Sequence, residues 1–153
     1  MEIVLIIGVI AIFLFAGVVA FGAPYLPTLS TRVSDAIELL DLKPGQTMLE
    51  LGCGDGRLLR AAAKQGIKSI GYELNPVLVI YAKLASFKYR KLVSVRWANY
   101  WVTDWPKADG MYVFFFFLYM SKLHKKVVQY SKGRPFCLVS FAFQITEMQV
   151  SIE

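Results

Sequence analysis

The stretch from Met48 to Asn75, MLELGCGDGRLLRAAAKQGIKSIGYELN, allows few folds. Met48 to Leu51 is an apolar run of strand length. Gly52-Cys53-Gly54-Asp55-Gly56 follows as a turn with no side chain larger than Asp. Leu58, Leu59, Ala61, Ala62 and Ala63 then recur at helical spacing up to Gly66, and Ser69 to Tyr72 reads as a second strand ending at Glu73. Strand, glycine turn, helix, strand and acid make half of a nucleotide-binding α/β unit. Glycines turn the backbone through positive φ and keep Cβ atoms away from a ligand. The helix behind the turn faces that ligand with free N–H groups and the positive end of its dipole. A carboxylate at the end of the second strand can accept both hydroxyls of a ribose, and Glu73 stands at roughly the twenty-residue offset this role requires.

A dinucleotide fingerprint is G-x-G-x-x-G and brings backbone N–H groups onto a pyrophosphate. Here the spacing is G-x-G-x-G, and two carboxylates, Glu50 and Asp55, flank the turn. Those charges repel a pyrophosphate and suit a ligand with an ammonium group and no phosphate. S-adenosylmethionine, with an amino-acid end, a sulfonium and an adenosine, is such a ligand. Glu50, Gly52, Gly54 and Gly56 match E/D-x-G-x-G-x-G, the first motif of the class I S-adenosylmethionine-dependent methyltransferases, which the chain resembles at this point. The resemblance implies an α/β fold with a Rossmann-like sheet. The plainer reading is a generic glycine-rich turn, and the register of Glu50 with Glu73 weighs against it.

The 153 residues hold at most one domain of ordinary size. The hydrophobic share of 56% is high for a soluble domain, and much of the excess lies at the start. Ile3 to Phe21 carries no charged or strongly polar residue, and no charge follows Glu2 until Arg32. About twenty apolar residues at a rise of 1.5 Å span a hydrocarbon core of about 30 Å. The run reads as one transmembrane helix. A secretory signal peptide stays open beside it: small residues near Ala20 and Gly22 suit cleavage, although no basic residue precedes the run. Arg32 and Lys43 follow the run, which points the rest of the chain into the cytoplasm. A net charge of +6 would let that part lie against anionic headgroups, or would merely aid solubility. No basic cluster with interleaved aromatics suggests nucleic-acid binding. Cys53 and Cys137 have no metal-ligand spacing to each other or to His124, which reads as a surface histidine, and no disulfide framework or metal site is expected.

Two prolines in Gly22-Ala23-Pro24-Tyr25-Leu26-Pro27-Thr28 break the helix. Val33, Ala36, Ile37, Leu39 and Leu40 then form an amphipathic helix, and Pro44-Gly45 is a turn. The organisation expected is residues 1–22 as anchor, 23–47 as linker and helix, and 48–153 as the cofactor-binding domain. The order of apolar helix, Pro-Tyr-x-Pro-Thr, short helix, glycine motif and Gly71-Tyr72-Glu73-Leu74-Asn75-Pro76 narrows the resemblance. It is similar to the membrane-anchored protein-lysine methyltransferases of the ATP synthase c-ring protein and the adenine nucleotide translocase, and to their prokaryotic relatives. In that family the Pro-Tyr segment lies near the active site, which implies Tyr25 as a site residue. Leu74 and Asn75 join Glu73 and the motif residues, Asp55 among them, on the implied cofactor side.

Pro76 opens a helix whose apolar face reads as Val77, Val79, Ile80, Leu84 and Phe87. Leu92 to Trp97 is a third strand, and Asn99-Tyr100-Trp101 follows it. The family carries Asp at the place of Asn99; the Asn carbonyl can still accept from an adenine amino group. Asn99 and Tyr100 are therefore cofactor candidates, and Trp101 matches a family Trp. Met111 to Phe117 reads as a central strand covered on both faces. Phe116-Phe117-Leu118-Tyr119-Met120 stands where the family has P-x-M-M; the Met is kept and the Pro is not. Ser121 to Tyr130 reads as a helix, Phe136 to Phe143 as a fifth strand, and Met148 to Ile152 alternates like a strand. The sheet is therefore shorter than the seven strands of the class, trimmed or completed by a second chain.

The resemblance implies a protein-lysine N-methyltransferase acting on a membrane protein. Tyr25, Trp101, Phe117 and Tyr119 would form an aromatic mouth that disfavours a lysine ammonium and lowers its pKa. A small-molecule or lipid methyltransferase, and a non-catalytic membrane-tethered cofactor-binding module, stand as alternatives.

Overall fold

The computed structural model describes residues 2–9, 12, 30–115, 120–131, 137–142 and 147–151. Its strands are β1 (Thr47–Leu51), β2 (Lys68–Glu73), β3 (Val93–Trp97), β4 (Gly110–Phe115), β5 (Cys137–Ala142) and β6 (Glu147–Ser151). Its helices are α1 (Ser30–Leu40), α2 (Arg57–Lys64), α3 (Pro76–Ala85) and α4 (Met120–Ser131). The strands form one sheet in the order β3-β2-β1-β4-β5-β6. The first five run parallel, and β6 pairs antiparallel with β5. Among the described residues the sheet thus has six strands, shortened as expected, with β3 and β6 as its edges.

Side chains alternate across a strand, so each inner strand feeds two cores. Met48, Val95, Tyr112 and Val139 lie with Ala36, Ile37 and Leu40 of α1, Leu58, Leu59 and Ala62 of α2, and Val79 and Ala82 of α3. Leu49, Leu51, Tyr72, Met111, Val113 and Leu138 lie on the other face with Leu123 and Val127 of α4 and Trp105. The helix before the glycine motif therefore belongs to the same core as the motif. Glu50 falls two residues after Met48, on the face that α1 to α3 cover. Its register partners are Gly71 on β2 and Tyr112 on β4.

Helix α3 departs from the expected face. Asn75 caps it, accepting from the Val77 N–H at 2.9 Å, and Pro76 fills the first turn. It packs through Val79 and Ala82, while Val77, Ile80, Leu84 and the following Phe87 face outward. The stripe that reaches the sheet is the one with small or short side chains. Gly56 explains this: a Cβ there would stand 3.2 Å from the Ala82 Cβ, so α2 and α3 meet closely.

Residues 2–9 are helical, and apart from Ile12 the remainder of the apolar run lies outside the described residues. Among the described residues no helix is long and apolar enough to cross a membrane.

Gly71 marks the tightest approach in the sheet. A Cβ there would lie 2.6 Å from Leu59 Cδ1 and 2.7 Å from Cys53 Sγ. Gly71→Ala should therefore lower stability by about 1–3 kcal/mol, the usual cost of overpacking. Chemical denaturation measures it, and an unchanged midpoint would contradict this packing.

Candidate functional site

The turn after β1 carries positive φ at Gly52 (81°), Gly54 (52°) and Gly56 (73°). The Gly52 and Cys53 N–H groups both donate to the Tyr72 carbonyl, at 2.8 and 2.9 Å, which holds the turn against the end of β2. No atom lies within 4 Å of where a Gly52 Cβ would stand, so the turn borders open space on that side.

Glu73 closes the turn from β2. One carboxylate oxygen accepts from Gly54 N–H at 2.9 Å, and the other accepts from Leu74 and Asn75 N–H at 2.8 Å each. A carboxylate offers about four lone-pair sites. Both hydroxyls of a ribose can be accepted only if one of these three bonds is shared or released. The acid thus shapes the turn as well as facing it.

Glu50 is the unsatisfied group of the site. It is 4% exposed, and its Oε2 is buried with no hydrogen-bond partner. Burial holds its carboxyl well above the ordinary value, Asp55 and Glu73 add like-charge repulsion, and Arg60 offsets part of this. A buried, partnerless carboxylate oxygen beside a glycine turn fits a cationic ligand group, which would supply the missing donor and charge.

Asp55 is committed elsewhere. Its carboxylate accepts from the Arg57 backbone at 3.0 Å and pairs with the guanidinium at 2.8 Å. Burial raises its pKa, but these bonds and the charges of Arg57 and Arg60 outweigh it, and the net shift is downward. Asn75 is used as the α3 cap, and the Leu74 carbonyl accepts from Trp97 Nε1 at 2.9 Å. The Asn99 side-chain carbonyl accepts from Trp101 N–H at 2.9 Å, folding the chain after β3 into a compact turn. The Tyr100 and Trp101 rings lie 4.9 Å apart, and Lys122 Nζ stands 4.5 Å from the Trp101 ring centre. Trp101 already has a cation on its ring. Tyr25, Phe117 and Tyr119 lie outside the described residues.

One organising residue gives little sign of itself in the sequence. Lys126 of α4 donates to the carbonyls of Tyr100, Trp101 and Thr103 at 2.7, 2.8 and 2.9 Å. Burial pushes its ammonium below the ordinary lysine value, Asp104 opposes that shift and Lys122 adds to it. The segment Ser121–Lys126 reads as polar surface. Its one hint is that Lys126 stands beside the buried Leu123/Val127 stripe.

A five-stranded parallel sheet with an antiparallel sixth strand, and a glycine turn and acid at the ends of β1 and β2, define a Rossmann-like methyltransferase fold. Residues 50–152 match the model of the ANTKMT methyltransferase domain, and the chain belongs to that family. It is 31% identical over 106 residues to the lysine N-methyltransferase of the ATP synthase c-ring protein from Xenopus laevis, covering 68% of this chain and 46% of the relative. It is 41% identical over 66 residues to the adenine nucleotide translocase lysine N-methyltransferase of Mus musculus, covering 42% of this chain and 28% of that one. The chain spans less than half the length of these relatives. Among solved structures, an RNA methyltransferase from Salinibacter ruber in complex with S-adenosyl-L-homocysteine superposes with a TM-score of 0.68 at 28% identity. That match covers 75% of this chain and 76% of the other.

The Glu50 environment sets a pH dependence. A carboxyl that holds its proton more tightly folded than unfolded supports the fold fully below its ordinary value near 4.5. That support is lost as pH rises through the raised folded value. Glu50→Gln has no such proton to lose. The stability difference should move in the variant's favour above pH 4.5 and level off by about 1–3 kcal/mol, the scale of one unsatisfied buried group. Denaturation of both proteins across pH measures it, and parallel profiles would contradict the assignment.

Proposed function

We propose that the chain is an S-adenosylmethionine-dependent protein-lysine N-methyltransferase acting on an integral membrane protein. The observation that carries this reading is the partnerless Glu50 oxygen beside the open space at Gly52, in a chain of this methyltransferase family. Glu50 would neutralise the ammonium of the cofactor's amino-acid end, the Gly52–Gly56 turn would admit it, and Glu73 would accept from the ribose. Asn99 and Tyr100 would border the adenine. When bound, the cofactor supplies a methyl group on a sulfonium, which passes to a nitrogen lone pair as its bond to sulfur breaks.

The protein's share is then orientation and dryness. The acceptor nitrogen must arrive without its proton, and an apolar, aromatic mouth disfavours the ammonium form. Trp101, with Tyr25, Phe117 and Tyr119, would line that mouth. The substrate class is supported by the lysine methyltransferases named above and by the apolar run from Ile3 to Phe21, which would hold the domain at the cytoplasmic face of a bilayer. Residues 1–22 would then be the anchor and 23–47 the tether and first helix. A second copy completing the sheet would pair along the free side of β6.

Two measurements test this. Glu73→Ala should weaken S-adenosylmethionine binding by about 2 kcal/mol in calorimetry, the scale of lost charge-assisted hydrogen bonds; unchanged affinity would remove the ribose role. Intact-mass spectrometry of native membranes incubated with the protein and cofactor should show additions of about 14 Da on a small integral membrane protein, at a Lys near a helix end. Transfer only to RNA, lipid or soluble proteins would overturn the substrate assignment.

A further inference from the structure

A helix packed on a sheet by one stripe ordinarily turns charged side chains to water. On α3 the side opposite Val79 and Ala82 is apolar instead. Val77, Ile80, Tyr81 and Leu84 are 57%, 60%, 56% and 71% exposed. Phe87, in the short 3-10 turn that follows, and Trp97, on the edge strand β3, are also exposed. The spacing 77, 80, 81, 84 is that of a continuous ridge along one helix face.

The charge around this ridge has one sign. Between Glu73 and Asp104 there is no Asp or Glu, while Lys83, Lys88, Arg90, Lys91 and Arg96 all occur. Arg90 lies over the Phe87 ring at 4.7 Å, so a cation sits directly beside the apolar ridge. Next to it, Arg57, Arg60 and Lys64 of α2 line an open groove with Tyr89. Asp55 is also in that groove, and it is paired with Arg57.

We infer that the exposed face of α3, with Phe87 and Trp97, is a docking surface for an anionic lipid bilayer. An apolar ridge flanked by Lys and Arg is the pattern of a helix lying in the membrane interface, its side chains among acyl chains and its cations at headgroup phosphates. Two copies meeting through this face would bring two sets of unbalanced cations together, and a protein partner would need matching acids. The ridge also reaches the site. Trp97 donates to the carbonyl of Leu74, next to Glu73, so docking sets the rim of the turn at headgroup level. This contact is separate from the N-terminal apolar run and does not depend on which group is methylated.

The test uses the full chain on vesicles of phosphatidylcholine, with and without phosphatidylglycerol, whose acyl chains carry a photoactivatable diazirine. Lipid adducts are mapped by peptide mass spectrometry. The expected result is adducts on Val77–Phe87 and Trp97, several-fold more abundant with phosphatidylglycerol, in addition to any on residues 3–21. Leu84→Asp with Phe87→Asp, both at exposed positions, should remove the adducts on α3 and leave those on residues 3–21. Lys88→Glu with Arg90→Glu should abolish the preference for phosphatidylglycerol. Adducts confined to residues 3–21, or equal labelling of α3 with and without the anionic lipid, would overturn the inference. So would cross-links showing the ridge covered by a second copy or by the chain's own N-terminal segment. A failure of methylation leaves the adduct map unchanged, so the two proposals fail separately.

Discussion

Three backbone N–H groups converge on the carboxylate of Glu73, and this convergence ties the molecule together at the ends of its strands. Through Gly54 it holds the turn after β1, and through Leu74 and Asn75 it holds the start of α3. Asn75 can then cap α3, and the Leu74 carbonyl can meet the Trp97 indole at the end of β3. A charge-assisted bond to backbone N–H is among the stronger hydrogen bonds available to a fold. A single acidic side chain thereby sets the relative position of three strand ends.

Glu50 stands in contrast. Glu73 is satisfied by the fold, while the Oε2 of Glu50 is left without a partner inside it. The sheet forces the burial: residue 50 lies between Met48 and the turn on the face that α1 to α3 cover, with Gly71 and Tyr112 beside it in register. An uncompensated carboxylate costs stability, and an arriving cation can remove that cost. The stability lost by the empty site becomes affinity for a cationic ligand.

Much of this was legible in the sequence because short-range chemistry dictates it. The glycine turn, the strands on either side of α2 and the amphipathic α1 follow from spacing alone, and Glu50 and Glu73 sit at the strand ends as read. What the sequence did not disclose was competition for partners. Asp55 has the same charge as Glu50, but Arg57 two residues on claims it. Asn75 and Asn99 spend their carbonyls on local backbone N–H groups. The apolar positions of α3 suggested burial, yet the close approach of Gly56 to Ala82 selects the small-residue stripe and turns Val77, Ile80 and Leu84 outward. Lys126 could not be told from its surface neighbours, because its three carbonyl partners come from a turn more than twenty residues earlier.

The central claim is that Glu50 is the counter-charge of a cationic cofactor. A carbon-13 NMR titration of the Glu50 side-chain carboxyl, with and without S-adenosylmethionine, tests it most directly. Without the cofactor its pKa should stand well above the ordinary carboxylate value, as burial and its acidic neighbours dictate. Saturating cofactor should bring it down as the ammonium supplies the missing partner. A Glu50 pKa that is ordinary in the free protein, or that does not fall on binding, would contradict the account.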